Sequence, residues 1–161
     1  MAIQQKITPY LWFDGTAEEA AKFYVSIFPN SRIVAVSNYP EAGPGEPGSV
    51  MVVVFELEGQ TFGAINGGTT FKLSEATSFL IDCATQAEID HYWSRLLEGG
   101  GTEQPCGWLK DRYGLSWQVN SQKLVEKVHT SGDTAAIARV MAAMMKMGKI
   151  DLGALERAYA G

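Results

Sequence analysis

The chain reads as an α+β protein built from two copies of a strand–helix–three-strand unit, followed by a helical extension. Three observations predict this. First, a strand, a helix-start signal and an apolar helix face recur in register. Thr16 matches Thr85, Glu19 matches Glu88, Phe23-Tyr24 match Tyr92-Trp93, and Ile27-Phe28 match Leu96-Leu97, all at one constant offset. Second, tight-turn signals close each copy. The stretch 106–120, CGWLKDRYGLSWQVN, reads as a hairpin with arms from Trp108 to Lys110 and from Leu115 to Asn120. Its turn is Asp111-Arg112-Tyr113-Gly114, in which glycine supplies a positive φ. Third, the pattern changes from Gln122 onward, where Ala135 to Met147 and Leu152 to Ala160 take helical spacing. The expected organisation is a domain over 1–121, with units at about 5–70 and 77–121, and an extension over 122–161.

Each element has its own local reason. Ile7 to Phe13 alternates as a strand, with Ile7, Leu11 and Phe13 on one face and Thr8, Tyr10 and Trp12 on the other. Pro9 marks an edge or a bulge near its start. Thr16 to Glu19 forms a capping box, and Ala17, Ala20, Ala21, Tyr24, Ile27 and Phe28 then share one helical face. Pro29-Asn30 ends that helix, and Arg32 to Tyr39 reads as a strand. The run 40–48, PEAGPGEPG, holds too much proline and glycine for regular structure. Val50 to Leu57 and Gln60 to Asn66 form a hairpin about Glu58-Gly59, and Asn66-Gly67-Gly68 ends it. The pattern restarts with a strand from Phe79 to Cys83 and a second capping box, Thr85 to Glu88. The helix that follows turns Ile89, Tyr92, Trp93, Leu96 and Leu97 inward, and Gly99-Gly100-Gly101 stops it. In the extension, Met141, Met144, Met145 and Met147 make a soft, adaptable surface, read as packing on the domain or on a partner copy, with a Met-lined ligand site as the alternative.

Composition narrows the function. A chain of 161 residues buries enough surface, about 70% of what it exposes unfolded, to fold without a disulfide or structural metal. A net charge of −5, a pI near 5.0 and no Lys/Arg run speak against nucleic-acid binding. The N-terminal MAIQQKITPYLWF has no basic region followed by a long apolar run, so no signal peptide and no membrane segment are expected. Cys83 and Cys106 make neither a CxxC pair nor a disulfide framework, which suits a reducing, cytoplasmic setting.

The duplicated unit resembles the vicinal oxygen chelate (glyoxalase/bleomycin resistance) superfamily. The stretches ITPYLWFDGTAEEAAKFYVSIFPNS and CGWLKDRYGLSWQV resemble its PhnB-like branch, whose members often carry the label 3-demethylubiquinone-9 3-methyltransferase. The resemblance implies that two units form a cupped mixed sheet around one cavity, often completed in a homodimer. It also implies metal-ligand positions, and these fall on Thr8, Ser78, Gln118 and a place near Gly63. The closing pattern Asp-x-x-Gly-x-x-x-Glu appears as Asp111 to Gln118, with glutamine where glutamate is expected. Thr, Ser, Gln and Gly supply neither carboxylate nor imidazole, so no metal triad and no metal cofactor is expected. The histidines, His91 and His129, lie away from these positions.

The inward set so implied is Thr8, Tyr10 and Trp12, then Ser78, Leu80 and Asp82, then Ser116, Gln118 and Asn120, with Trp108 as a further lining residue. An aromatic wall with a few hydrogen-bonding groups suits a small-molecule ligand. Tyr10 and Trp12 could equally fill the cup as core. Asp82 is a candidate general base if burial raises its pKa, and Cys106 a candidate nucleophile if a base lowers its own. For both, a structural role is the plainer reading. Asn66-Gly67-Gly68 offers backbone N–H groups that could meet an anion. The label calls for S-adenosylmethionine, yet Asp14-Gly15 follows the first strand where such enzymes carry a glycine-rich loop. Three readings follow: a non-metal small-molecule-binding protein, a metal- or Cys106-dependent enzyme on a small metabolite, and the labelled methyltransferase.

Overall fold

Alternating apolar residues build two four-stranded sheets, each with one helix on one face. The computed structural model describes residues 5–161. The part of the N-terminal reading that falls on residues 1–4 lies outside them. The chain divides into two compact units, one ending at Leu73 and the other beginning at Ser74.

The first unit runs β1 (Tyr10–Phe13), α1 (Ala17–Ile27), β2 (Arg32–Asn38), β3 (Val50–Leu57) and β4 (Gln60–Asn66). Its strand order is β1-β4-β3-β2. β1 runs parallel to β4, and the other pairs are antiparallel. Leu11, Phe13, Val53, Phe55, Phe62 and Ala64 are buried on the face that carries α1. Ala17, Ala20 and Ala21 are fully buried and bring that helix close. Tyr24 stacks on Phe55, whose ring stacks in turn on Phe62, with centroids 6.2 and 5.5 Å apart. Each large apolar side chain so buried stabilises the unit by about 1.5–3 kcal/mol.

Two local expectations are corrected here. Ile7 does not join the core face: it is 84% exposed and, like Thr8, precedes β1. Pro9 is the reason, since it has no N–H to extend the ladder, although its carbonyl accepts from Gly63 N–H at 2.9 Å. Thr16 does not cap α1 with its hydroxyl. The Ala17 N–H is satisfied instead by Asn66 Oδ1 at 2.9 Å, which ties the helix start to the end of β4.

The second unit repeats the plan with β5 (Ser78–Asp82), α2 (Gln86–Leu97), β6 (Thr102–Glu103), β7 (Trp108–Lys110) and β8 (Ser116–Asn120). Its order is β5-β8-β7-β6, again with the first and last strands parallel. Ile81, Cys83, Leu109, Trp117 and Val119 form the buried sheet side, and Ile89, Tyr92, Trp93 and Leu96 the buried side of α2. Here the capping box forms. Thr85 Oγ1 accepts from Glu88 N–H at 3.2 Å, and Glu88 reaches back to Ala84 N–H rather than to Thr85.

The extension holds three helices, not two: α3 (Gln122–Thr130), α4 (Thr134–Met144) and α5 (Leu152–Ala160). Their N-caps are Ser121, Asp133 and Asp151, each accepting from a backbone N–H with its side chain. All three belong to the second compact unit. Leu124, Val128, Ala136, Val140, Ile150 and Leu155 are buried there. The link after α4 is stitched to the approach of β7, where Cys106 and Gly107 donate N–H bonds of 2.8 Å to the carbonyls of Met147 and Gly148. Among the described residues, no helix is long and apolar enough to cross a membrane.

Candidate functional site

The closing hairpin is organised by Asp111. The residue is buried, only 3% exposed. Oδ1 accepts from the Tyr113 and Leu115 N–H groups at 2.8 and 3.1 Å, and Oδ2 from Trp117 Nε1 at 2.9 Å. The turn, the start of β8 and the indole on its helix side are fixed together. Strand alternation then sends Ser116, Gln118 and Asn120 to the opposite face. In register with them stand Ser78, Leu80 and Asp82 of β5, and Lys110 and Trp108 of β7. Leu80, Gln118 and Trp108 therefore form one row across three strands. Gln118 Nε2 donates to Ser78 Oγ at 2.9 Å, which orients the amide. In the adjacent row, between Ser78 and Lys110, stands Ser116, whose Oγ is fully buried without a hydrogen-bond partner.

Helices α3, α4 and α5 lie over this face and line with it a partly open cavity of about 280 Å³. The sheet side of the cavity is Leu80, Cys106, Trp108, Gln118 and Asn120. The helix side is Leu124, Val125, Val128 and His129 from α3, Val140, Met141 and Met144 from α4, and Leu155 from α5. The extension supplies more than half of the wall, and Met141 and Met144 line it. Their position fits packing on the domain, the first expectation, and leaves the Met-lined ligand site as the alternative. Sequence reasoning named Leu80, Trp108 and Gln118 and missed the walls from α3 and α5. The signal available was the spacing of Leu124 and Val128 behind the Ser121 cap.

The other expected site residues have distinct places. Thr8 is half-buried ahead of β1, and Tyr10 is 57% exposed. The Tyr10 ring occupies the space a side chain would take at Gly63. The Trp12 indole likewise covers Gly67, donates to the Gly68 carbonyl at 2.9 Å and meets Phe71 edge-on. Those glycines make room for aromatic rings of their own unit. Asp82 is exposed and accepts from Gln122 N–H at 2.8 Å, so it anchors the start of α3. Asn66 is used up structurally, bonding Ala17 and Val50 with its side chain. The depression beside it is lined by Asp14, Glu18 and Glu46, a charge that disfavours an anion.

The two thiols differ. Cys83 is fully buried, and burial, then Glu88 and Asp82, push its pKa up to about 12. Cys106 is half-buried on the cavity wall, with its backbone in the left-handed region at φ +63° and its Sγ 3.7 Å from Met145 Sδ. That conformation is costly for a residue other than glycine.

The residues at the expected metal positions do not fit a divalent metal. Ser78 and Gln118 are bonded to each other through a neutral hydroxyl and a neutral amide. Among the described residues, no group of three or more His, Cys, Asp or Glu side chains could hold a metal ion. His91 is exposed against Tyr92, and His129 lies on the cavity rim contributed by α3.

A family model described as 3-demethylubiquinone-9 3-methyltransferase matches residues 5–120. Among solved structures, a PhnB protein from Bacillus cereus, described as a candidate 3-demethylubiquinone-9 3-methyltransferase, is 40% identical, with a TM-score of 0.65 over 71% of this chain and 98% of that one. The protein PA1353 from Pseudomonas aeruginosa is 21% identical, with a TM-score of 0.61 over 73% of this chain and 98% of that one. The fosfomycin resistance protein FosX from Listeria monocytogenes, complexed with Mn(II) and sulfate, is 16% identical, with a TM-score of 0.54 over 80% of this chain and 98% of that one. The last two likenesses concern the fold alone. No curated protein matches.

Proposed function

Because the chain belongs to the 3-demethylubiquinone-9 3-methyltransferase family, the PhnB-like branch of the vicinal oxygen chelate superfamily, we propose that it is a small-molecule-binding protein that holds its ligand without a chelated metal. The observation that carries this reading is the cavity of about 280 Å³ on the β5–β8–β7 face, with Leu80, Trp108 and Gln118 on its floor. A concave, mostly apolar site with a few convergent polar groups is what a small ligand needs. The Ser78–Gln118 hydrogen bond supports the same reading, since it occupies two expected ligand positions with groups that do not bind divalent ions. A Cys106 nucleophile is less well supported, because its Sγ meets a thioether, Met145 Sδ, and not a base.

The protein acts as a homodimer in the cytoplasm. Val34 and Val36, each 45% exposed, lie on the edge strand β2, and unpaired edges of this kind seek a partner. Two free thiols suit a reducing compartment. The test is elemental analysis of purified protein, followed by titration with nickel, zinc and manganese. No stoichiometric metal and no binding are expected. One tightly held metal per chain would overturn the reading and favour a metal-dependent enzyme.

A further inference from the structure

We infer that the ligand of the second unit's cavity is an uncharged, largely apolar molecule bearing a hydroxyl group, which donates to the Gln118 side-chain oxygen. The inference rests on the reading of that cavity as the binding site.

The lining contains no Lys, Arg, Asp or Glu side chain. The imidazole of His129 stands on the helix side, and the floor of Leu80, Cys106, Trp108, Gln118 and Asn120 offers neither a cation nor a carboxylate, so a carboxylate, phosphate or ammonium seated beside Gln118 would lose hydration without a countercharge from the floor. A neutral ligand escapes this penalty. The two amides on the floor then specify its polar end. Gln118 Nε2 is committed to Ser78 Oγ at 2.9 Å, so the amide presents its oxygen, and Oε1 has no donor among the described residues. Asn120 is held the other way. Its Oδ1 accepts from Ser121 N–H at 2.8 Å, and its Nδ2 has only the Met144 sulfur, a weak acceptor, at 4.0 Å. The floor thus offers a strong acceptor at Gln118 and an underused donor at Asn120, two residues along β8 and so about 7 Å apart at their Cα atoms. An amine could also donate to Gln118, but at neutral pH an alkylamine carries charge. A hydroxyl satisfies Gln118 without charge, and its own lone pairs, or a further neutral acceptor on the ligand, can reach Asn120.

The remaining wall sets the apolar part. At about 280 Å³ the cavity is nearly twice the roughly 150 Å³ of an apolar cavity that holds benzene. Leu124, Val128, Val140 and Leu155 offer no polar contact, and Met141 and Met144 adapt to irregular shapes. Discrimination therefore lies in the head group more than in the outline of the apolar body. Gln118 is half-buried, so a ligand without a donor would displace water from Oε1 and leave it unpaired, and that penalty is the source of selectivity.

The experiment is displacement of the neutral fluorophore N-phenyl-1-naphthylamine from the full-length protein at pH 7. The competitors are 1-octanol, its ether isostere 1-methoxyheptane, octanoate and octylammonium. 1-Octanol is expected to displace the probe at a concentration at least tenfold below the other three. In Gln118→Leu, 1-octanol and the ether should become equivalent. In Ser78→Ala, which leaves Gln118 in place but frees its amide to turn, the gap between them should narrow. Equal displacement by all four competitors, or an undiminished gap in both variants, would overturn the assignment of the ligand class while leaving the cavity as a binding site. Failure of the fluorophore to bind the wild-type protein would overturn the binding reading itself, and the ligand class with it.

Discussion

The two units share a strand order and a helix-side core, but they use the opposite sheet face differently. In the first, Tyr10 and Trp12 lie over Gly63 and Gly67, and Trp12 is pinned to Gly68 and Phe71. In the second, the corresponding strands carry Leu80, Trp108 and Gln118, and the extension helices cover them across a cavity. Duplication has preserved what folding needs, the alternation that buries one sheet side against a helix. The other side was free to diverge, toward ring-on-glycine packing in one unit and a ligand-sized space in the other.

The comparison can be broken most severely at the hairpin turns. Asp111 binds three donors in the second unit, whereas the Glu58-Gly59 turn of the first hairpin combines positive φ with one side-chain bond, from Glu58 N–H to Ser31 Oγ at 3.2 Å. Asp111→Ala leaves buried N–H groups unpaired and should cost about 3–4 kcal/mol, read from denaturant unfolding. The ring-on-glycine packing is tested next. A Cβ at Gly67 would lie 2.1 Å from the anchored Trp12 ring, so Gly67→Ala should destabilise by about 1–3 kcal/mol. At Gly63 the obstructing ring is the exposed Tyr10, which can swing away, and Gly63→Ala should cost under about 1 kcal/mol in the same assay.

The thiols sharpen the contrast between core and cavity within the second unit. A thiol reagent should modify Cys106 in the native protein and Cys83 only on unfolding, as peptide mapping would show. Cys83 has its pKa raised from 9.0 to about 12, so the folded state holds that proton more tightly than the unfolded chain. Its contribution to stability is complete below pH 9.0 and is lost as pH rises toward about 12. Cys83→Ala should flatten the alkaline fall in melting temperature. The smallest effect expected is at Glu58, held at φ +49°. Glu58→Asn, which tolerates that region better, should stabilise by up to about 1 kcal/mol.

Periodicity made the helix-side cores legible. The hairpin Val50–Leu57 and Gln60–Asn66 stands where turn chemistry at Glu58-Gly59 placed it. Ile7 misled because alternation continues through Pro9, although the ladder does not. Helix α3 was hidden because only Leu124 and Val128 are buried along it, too short a stripe to stand out beside a hairpin. Strand parity placed Leu80 and Gln118 on one face, as the register records. What lies opposite that face depends on how a distant helix folds back, and helical spacing does not encode it. Met141 and Met144 could therefore be read as a soft surface without knowing which wall they complete. Asp111 was legible as a turn residue, but its bond to Trp117 needs the folded hairpin.

The most direct test of the division between the units is a titration of N-phenyl-1-naphthylamine into Leu80→Trp and Tyr10→Ala proteins, side by side with wild type. Leu80 is on the cavity floor, and a larger indole there should abolish binding. Tyr10 lies in the first unit, and its removal should leave the affinity unchanged within about twofold. Binding lost in Tyr10→Ala and kept in Leu80→Trp would contradict the assignment of the ligand site to the second unit.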